Sequence, residues 1–303
     1  MARINLPQRI KEGLFLLDGA MGTELFARGV EVGKCSDYLN IDSADIVFDV
    51  HRAYLQAGSD AVLTNTFGAN RYALGRHGFA DKVGEINTAA AQIARRAAGV
   101  EKYVLGDIGP SGDFLQPLGM LEPQGLKQAF AEQAQALLEG PVDGFIIETM
   151  TALDELAIAI EAVKSVCSEL PVFASMAFDK RGGDFKTMMG VDVESAVSAM
   201  VSAGADVVGF NCGTASLDEY VELAERYIKA FTRATSDERQ ATVFAEPNAG
   251  KPQLVDGRAV YNVSPDDFAA MAEKIHSAGI NIIGGCCGTS PAHILALAKK
   301  LKQ

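Results

Sequence analysis

The sequence of 303 residues lacks any run of the roughly 20 consecutive apolar residues that a membrane-spanning helix needs. Residues 1–13 carry several charges and no apolar segment of signal-peptide length. We therefore expect a cytoplasmic protein with no membrane partner. Low-complexity tracts are also missing, and hydrophobic residues make up 48% of the chain, which is enough for a large buried core.

Positive charge is scarce in this chain. It has 27 Lys and Arg residues against 39 Asp and Glu residues, a formal net charge of −12. A surface of this average sign repels phosphate backbones and anionic lipid headgroups. The charge therefore argues against a nucleic-acid partner and against a partner at the membrane surface.

Cysteine is also infrequent, and the number of cysteines is odd. A chain of this length with five cysteines and no secretion signal does not have the pattern of a disulfide framework. In a reducing compartment, adjacent cysteines more often indicate a metal site or catalysis. The five are Cys35, Cys167, Cys212, Cys286 and Cys287.

Several common catalytic and cofactor motifs are missing. The sequence has no Gly-x-Ser-x-Gly elbow and no Walker-type loop, and its glycine-rich segment 18–23 lacks the full dinucleotide-binding spacing. The four histidines fall in helix-like segments or a polar loop, where surface or helix-capping roles are expected. They are His51, His77, His276 and His293.

Short apolar runs alternate with longer amphipathic segments along the whole chain, which is typical of repeated βα units around a parallel sheet. The strand candidates are Leu14–Leu17, Ala61–Thr64, Tyr103–Ile108, Gly144–Glu148, Val172–Phe178, Val207–Asn211, Thr242–Glu246 and Asn281–Gly284. The helix candidates include Ile46–Ala57, Gln124–Glu139, Leu153–Ser168, Val193–Ser202, Asp218–Phe231, Asp266–Ser277 and Ala292–Lys300. Eight consecutive units predict an α/β protein with one (βα)8 TIM barrel over residues 1–303, rather than a doubly wound open sheet.

In such a barrel the chemistry lies at the C-terminal ends of the strands. Cys212 follows the sixth strand, and Cys286 and Cys287 follow the eighth, flanked by glycines that let the backbone turn both sulfurs toward one point. Three thiolates with an open fourth position suit a catalytic zinc ion. The alternative for each cysteine is a small buried hydrophobic side chain, which is the expectation for Cys35 and Cys167.

Two carboxylates at strand ends match a small zwitterionic substrate. Asp18 and Glu148 point into the barrel mouth from the first and fourth strands, where they can hold an ammonium group by charge-assisted hydrogen bonds. The backbone N–H groups of Gly19 and Ala20 are candidates for the substrate carboxylate. Each acid could instead cap a helix or pair with a lysine.

These residues resemble the homocysteine S-methyltransferase family. The similarity runs over nearly the whole chain, through the segments at residues 16–23, 64–67, 209–213 and 284–289. The adjacent cysteines together with the upstream Asn-Cys are its most specific part. The segments at 106–110 and 246–252 are most similar to the homocysteine module of cobalamin-dependent methionine synthase.

The resemblance implies that Cys212, Cys286 and Cys287 bind zinc and that Asp18 and Glu148 hold the amino group of homocysteine. It also implies that Asn248 lies near the metal, as a fourth ligand before substrate arrives. The folate-binding, cobalamin-binding and activation regions of a full synthase are not in the sequence. The methyl donor is therefore left open between methylcobalamin on a partner corrinoid protein or domain and a small onium compound.

The predicted reaction is attack by the thiolate of homocysteine on an activated methyl group, giving methionine. A free thiol is mostly protonated at neutral pH, and metal binding removes that proton. Two alternatives remain: a betaine-dependent, S-methylmethionine-dependent or other onium-dependent thiol methyltransferase, and a non-catalytic zinc or redox module.

Overall fold

Eight parallel strands form one sheet in a computed structural model that describes residues 3–31, 33–235, 242–255 and 258–302. The strands are β1 (Phe15–Leu16), β2 (Ala61–Leu63), β3 (Tyr103–Ile108), β4 (Gly144–Met150), β5 (Val172–Met176), β6 (Val207–Asn211), β7 (Val243–Glu246) and β8 (Ile282–Ile283). Their order in the sheet is β1-β8-β7-β6-β5-β4-β3-β2, so each strand from β2 to β7 pairs with the next strand in the chain, and β8 also pairs with β1.

The first two strands approach each other at the seam of the sheet. Asp60 N–H donates to Leu16 O at 2.7 Å, and Leu63 N–H donates to Asp18 Oδ2 at 3.1 Å. The sheet is thus a nearly closed barrel, and the predicted (βα)8 architecture is confirmed.

Helices surround the barrel as a closed ring. The helices α4 and α6 to α12 each pack against the next, and α12 packs against α4. The helices of the described residues are α1 (Leu6–Arg9), α2 (Met21–Ala27), α3 (Leu39–Asp42), α4 (Ala44–Ala57), α5 (Arg71–Gly75), α6 (Val83–Ala98), α7 (Pro123–Glu139), α8 (Leu153–Val166), α9 (Val193–Ser202), α10 (Leu217–Thr235), α11 (Pro265–Ser277) and α12 (Pro291–Leu301). None of these is long and apolar enough to cross a membrane.

Local sequence signals set several helix ends. Ser264 caps α11 by accepting from Asp267 N–H, and Ser290 forms a capping box with His293 at the start of α12. A left-handed glycine, Gly58, ends α4. The predicted helix end at Ser168 is wrong: α8 stops at Val166, and Cys167 is extended.

Two short antiparallel hairpins interrupt the alternation of strands and helices. One joins Asp179–Arg181 to Asp184–Lys186 after β5, and the other joins Gln253–Val255 to Arg258–Val260 after β7. Both follow the C-terminal end of a strand, so they lie on the same side of the barrel as its mouth. The sequence patterns did not predict either hairpin.

The inside of the barrel is filled by apolar side chains from the strands, and Leu6 and Ile10, in and just after α1, join this cluster. The strand contributions are Phe15, Leu17, Ala61, Tyr103, Leu105, Ile146, Phe173, Val207, Phe244 and Ile282. Because side chains on a strand alternate between its two faces, the next inward positions lie two residues further along. The polar residues at these positions, together with Asn211 four residues beyond Val207, form what we call the polar layer: Asp107, Glu148, Ser175, Asn211 and Glu246.

His51 lies in α4 and is fully buried, so the expected surface or capping role is wrong for this residue. Neither ring nitrogen has a hydrogen-bond partner among the described residues. Burial lowers the pKa of His51 to about 3, which keeps the ring neutral. His293, in contrast, caps α12 as expected.

Candidate active site

Three cysteine sulfurs meet at the mouth of the barrel. The Sγ atoms of Cys212 and Cys287 are 3.8 Å apart, and those of Cys286 and Cys287 are 3.9 Å apart. Sulfurs bound at about 2.3 Å to one tetrahedral zinc ion lie about 3.8 Å from each other. In the part of the chain that the structure describes, no other group of His, Cys, Asp or Glu residues converges within 4.8 Å in this way.

Backbone hydrogen bonds place the cysteines around the segment after β7. Cys212 N–H donates to Glu246 O at 3.2 Å, and Cys286 N–H donates to Pro247 O at 2.9 Å. Cys212 itself has a left-handed backbone, with φ of 55°, which is uncommon for a residue other than glycine. Strained backbone of this kind persists where the surrounding structure holds it.

Tyr220 ties the same segment to the first cysteine. Its hydroxyl donates to Cys212 O at 2.8 Å and accepts from Asn248 N–H at 3.3 Å. The side-chain amide of Asn248 donates to Gly213 O at 2.7 Å, whereas its Oδ1 is buried without a partner among the described residues. That oxygen is therefore available to a ligand outside the chain.

The three thiols change one another's pKa through hydrogen bonds. Hydrogen bonds from Cys212 and Cys286 lower the pKa of Cys287 to about 3, and a further hydrogen bond from Tyr261 acts in the same direction. Hydrogen bonds to Cys212 and Cys287, together with burial, raise the pKa of Cys286 well above its ordinary value. Hydrogen bonding within the cluster thus favours the thiolate at Cys287, and a bound cation would favour the thiolate at the other two sulfurs as well.

Asn211, the last residue of β6, connects the sulfurs to the carboxylates. Its Nδ2 donates to Glu148 Oε2 and to Thr149 Oγ1, and lies 3.8 Å from Cys286 Sγ. Its Oδ1 accepts from Ser175 Oγ and from Thr149 N–H, each at 2.8 Å. Every polar atom of this side chain is engaged, so its orientation is fixed.

Asp18 and Glu148, the two predicted substrate carboxylates, are both buried at the mouth. Burial raises the pKa of Glu148 to about 7. Burial also raises the pKa of Asp18 well above its usual range, and the charge of Glu148 raises it further. Two carboxyl groups that repel each other in a buried site favour a cation between them.

The backbone at Gly19 and Ala20 is tightly packed. A Cβ added at Gly19 would lie 2.7 Å from Thr289 Oγ1 and 2.8 Å from Tyr54 Cε1, so only glycine fits there. The N–H of Ala20 donates to Thr289 Oγ1 at 3.1 Å. A substrate carboxylate at Ala20 must share or replace that hydrogen bond, and the predicted role of both N–H groups stays a prediction.

Two further carboxyl groups of the polar layer lie near this pair. Asp107 Oδ1 and Glu246 Oε2 are buried, and neither has a hydrogen-bond partner among the described residues. The charges of Glu148 and Asp18 raise the pKa of Glu246, in addition to the larger effect of burial. Both residues fall in predicted strands, Tyr103–Ile108 and Thr242–Glu246, but no function was predicted for either.

The sequence profile of the homocysteine S-methyltransferase family matches residues 15–301. The chain belongs to the homocysteine S-methyltransferase family. It is 35% identical over 314 residues to the methionine synthase of Mycobacterium tuberculosis (strain ATCC 25618 / H37Rv), covering 97% of this chain and 25% of that protein. It is 34% identical over 312 residues to the methionine synthase of Mycobacterium leprae (strain TN), covering 97% of this chain and 24% of that protein. The chain thus spans about a quarter of the length of these curated relatives.

Solved structures agree on the fold. The metallated form of the homocysteine methyltransferase MmuM from Escherichia coli matches with a TM-score of 0.76 and 21% identity, over 98% of this chain and 99% of that chain. Its oxidized form matches with a TM-score of 0.75 and 21% identity, over 98% of this chain and 100% of that chain. This likeness confirms the barrel architecture of the family member.

Proposed function

We propose that this chain transfers a methyl group to the thiol of homocysteine, giving methionine, at a zinc ion held by Cys212, Cys286 and Cys287. The observation that carries the proposal is the spacing of the sulfurs. Distances of 3.8 and 3.9 Å equal the separation that a tetrahedral zinc site requires. Family membership supports homocysteine as the methyl acceptor.

The three sulfur ligands suit zinc and leave its fourth coordination position for the substrate. When bound, zinc takes the place of the thiol proton, so the substrate sulfur reacts as a thiolate at neutral pH. Three thiolate ligands make the metal a weaker Lewis acid than three imidazoles, which leaves the substrate sulfur nucleophilic. The unpartnered Oδ1 of Asn248 is our candidate for the fourth ligand before homocysteine binds.

The carboxylates orient the acceptor. In our proposal Asp18 and Glu148 bind the ammonium group of homocysteine, while the backbone at Gly19 and Ala20 faces its carboxylate. Asn211 holds Glu148 in place and lies beside Cys286, which couples the position of the amino group to that of the metal. In this orientation the thiol of homocysteine would face Cys212, Cys286 and Cys287, the residues that would hold the zinc.

We propose methylcobalamin on a partner corrinoid protein or domain as the methyl donor. The support is a set of exposed apolar side chains in the loops after β2, β3, β5 and β7, at the mouth of the barrel. Exposed apolar surface often marks a site where another protein or domain docks, and a small donor does not require one. We call this set the apolar rim: Phe67, Phe114, Leu118, Met120, Met188, Met189 and Leu254.

An onium donor such as betaine or S-methylmethionine is the alternative, and one observation favours it. Four buried carboxyl groups lie at the mouth, and a cationic donor among them would be stabilised by those that ionise. They are Asp18, Asp107, Glu148 and Glu246. A non-catalytic zinc or redox module is the third alternative, and it predicts no methyl transfer from any donor.

One experiment distinguishes the three. Zinc-loaded protein and homocysteine are incubated in parallel with methylcobalamin, betaine, S-methylmethionine and dimethylsulfoniopropionate, and methionine is quantified. We expect methionine with methylcobalamin, and loss of the reaction after chelation of zinc. The Cys286→Ala variant should be inactive, while Cys167→Ala, which changes a cysteine far from the site in sequence, should retain activity. Full activity in Cys286→Ala would refute the zinc mechanism.

A further inference from the structure

Asp107 lies in the polar layer without a role in the reaction described so far. Its backbone is held on both sides, because its N–H donates to Thr64 Oγ1 at 2.9 Å and its carbonyl oxygen accepts from Thr66 Oγ1 at 2.7 Å. The side chain is almost fully buried, and Oδ1 has no partner among the described residues. A buried oxygen without a partner costs about 1–3 kcal/mol, so its retention calls for an explanation.

The neighbouring strand brings Asp107 next to Glu148. Strands β3 and β4 are parallel, and Asp107 pairs in register with Ile146, so Glu148 lies one inward position further along. The Asp107 side chain is near enough to Glu148 for a hydrogen bond from it to lower the pKa of the Glu148 carboxyl, against the larger rise that burial causes. Two carboxyl groups form such a bond only when one of them carries a proton, because an ionised carboxylate only accepts.

Burial and the neighbouring acids raise the pKa of both carboxyl groups, which favours keeping one proton on the pair. Burial raises the pKa of Asp107 well above its usual range, and the charges of Glu148, Glu246, Asp37 and Asp18 raise it further. The pKa of Glu148 is about 7. A protonated Asp107 that donates to an ionised Glu148 is consistent with both pKa shifts, because the pKa of Asp107 is raised and that of Glu148 is about 7.

Glu148 is also held from its opposite side. Its Oε2 accepts from Asn211 Nδ2 and from Thr149 Oγ1, the latter at 3.2 Å. A glutamate has three side-chain torsions, and ordering them costs free energy that fixed hydrogen bonds offset. Contacts from β3 on one side and β6 on the other leave Glu148 a single orientation.

We propose that Asp107 is a positioning residue that aims Glu148 at the α-ammonium group of the acceptor, so that selectivity for an amino-acid thiol depends on three carboxyl groups. The inference rests on the proposed function and deepens it. Asp107 keeps its proton throughout and donates it to Glu148 as a hydrogen bond. Asp18 and Glu148 then present two carboxylates to one ammonium group.

Two thiols that differ only in the amino group test this inference. Homocysteine is compared with 4-sulfanylbutanoic acid, the same molecule without its amino group, for binding to zinc-loaded protein by calorimetry and for methylation at steady state. Losing a hydrogen bond to a charged group should raise the Kd and KM of Asp107→Ala for homocysteine by about 10- to 100-fold. We expect kcat to change by less than about twofold and the values for 4-sulfanylbutanoic acid to stay the same.

Rescue by a conservative change separates positioning from simple packing. The amide of Asp107→Asn can still donate to Glu148, so this variant should bind homocysteine within about threefold of the unchanged protein. Glu155→Gln is the matched control, because Glu155 is another buried carboxylate but bonds to Ser111 instead of to Glu148. It should show no change that depends on the amino group.

The outcomes distinguish this inference from the proposed function. Equal losses for both thiols in Asp107→Ala, or an Asp107→Asn variant as weak as Asp107→Ala, would overturn the positioning role and leave the methyl transfer intact. The positioning role would also be overturned if the protein without substitutions bound homocysteine no better than 4-sulfanylbutanoic acid. Absence of methyl transfer from every donor would overturn the proposed function, while the calorimetric comparison would still decide the role of Asp107.

Discussion

Asn211 donates a hydrogen bond to the carboxylate of Glu148, although the two residues belong to strands β6 and β4. The same amide nitrogen lies 3.8 Å from Cys286 Sγ. One side chain therefore contacts both parts of the proposed site, the group that binds the metal and the group that binds the amino acid.

Replacing this amide by a carboxyl group tests the connection. In Asn211→Asp the donor to Glu148 is lost and a further acid is added beside it, so we expect the KM for homocysteine to rise about 10- to 100-fold. Steady-state kinetics measure the change. Asn87→Asp is the control, since Asn87 is a buried amide that bonds to Ala69 O and Val83 O. It should lower stability without this effect on KM, and a comparable KM change in both variants would contradict a specific role for Asn211.

Zinc content should follow the cysteine cluster. Changing Cys212, Cys286 or Cys287 to alanine leaves two sulfurs, one fewer than the three protein ligands of a catalytic zinc site. We expect bound zinc, measured by atomic emission after dialysis, to fall from about one ion per chain to a small fraction. Cys35→Ala should keep its zinc, and a Cys287→Ala protein with undiminished zinc would show that the ion lies elsewhere.

The hydroxyl of Tyr220 should matter for both stability and metal retention. Tyr220→Phe removes the donor to Cys212 O and the acceptor of Asn248 N–H, for an expected loss of about 1–3 kcal/mol in the free energy of unfolding. Zinc affinity should fall about 10-fold or more, because the supporting contacts of a metal site tune its affinity. Tyr227 is a matched control, since its buried hydroxyl has no partner among the described residues. Urea unfolding of Tyr227→Phe should show no loss of stability.

A glycine beside the first cysteine is predicted to be irreplaceable. Gly213 has φ of 80°, and an added Cβ would lie 2.0 Å from Phe178 O, so Gly213→Ala must shift the backbone that carries Cys212. We expect a loss of about 3 kcal/mol or more in unfolding free energy and weakened zinc binding. Gly182 has φ of 60° but open space around it, so Gly182→Ala should cost only about 1 kcal/mol. Equal costs would show that steric contact is unimportant at Gly213.

Glu219 should stabilise the fold in a defined pH range. Ser216 N–H and Lys251 lower its pKa from 4.5 to about 2. Because the folded pKa is below the unfolded one, the stabilisation is complete above pH 4.5 and disappears as the pH falls toward 2. In metal-free protein, Glu219→Gln should be less stable than the unchanged chain at pH 7 by about 1 kcal/mol. The gap in urea midpoint should narrow at pH 3, and a constant gap would contradict this assignment.

The fold was predictable because its signals are local. All eight strands were predicted, with small errors such as Leu14–Leu17 for Phe15–Leu16, since a run of apolar residues between turn signals suffices to locate a strand. The named helix candidates did not include α6, and the short helices α1, α2, α3 and α5 and the two hairpins were not predicted. The short helices and hairpins are too brief for a periodic pattern to develop, and contacts with the rest of the barrel decide their conformation.

The site was predictable only in part, for a related reason. The positions of Asp18, Glu148 and the three cysteines followed from their places after strands, but the contacts among them depend on register between strands. Asn211 is 63 residues from Glu148 and 75 from Cys286 in the sequence, a pairing that no local pattern specifies. The bond between Ala20 and Thr289 spans 269 residues and could not be anticipated either.

The polar layer lies next to the apolar filling of the barrel, two residues further along in β3, β4, β5 and β7 and four residues further along in β6. Leu105 and Asp107, or Ile146 and Glu148, are separated by a single outward-facing residue. A redesign for a different thiol therefore has a narrow set of permissible positions. Substitutions among the acids and amides of the polar layer change the acceptor pocket. Substitutions two residues toward the N-terminus in β3 or β4 would instead replace residues of the apolar filling, on which folding depends.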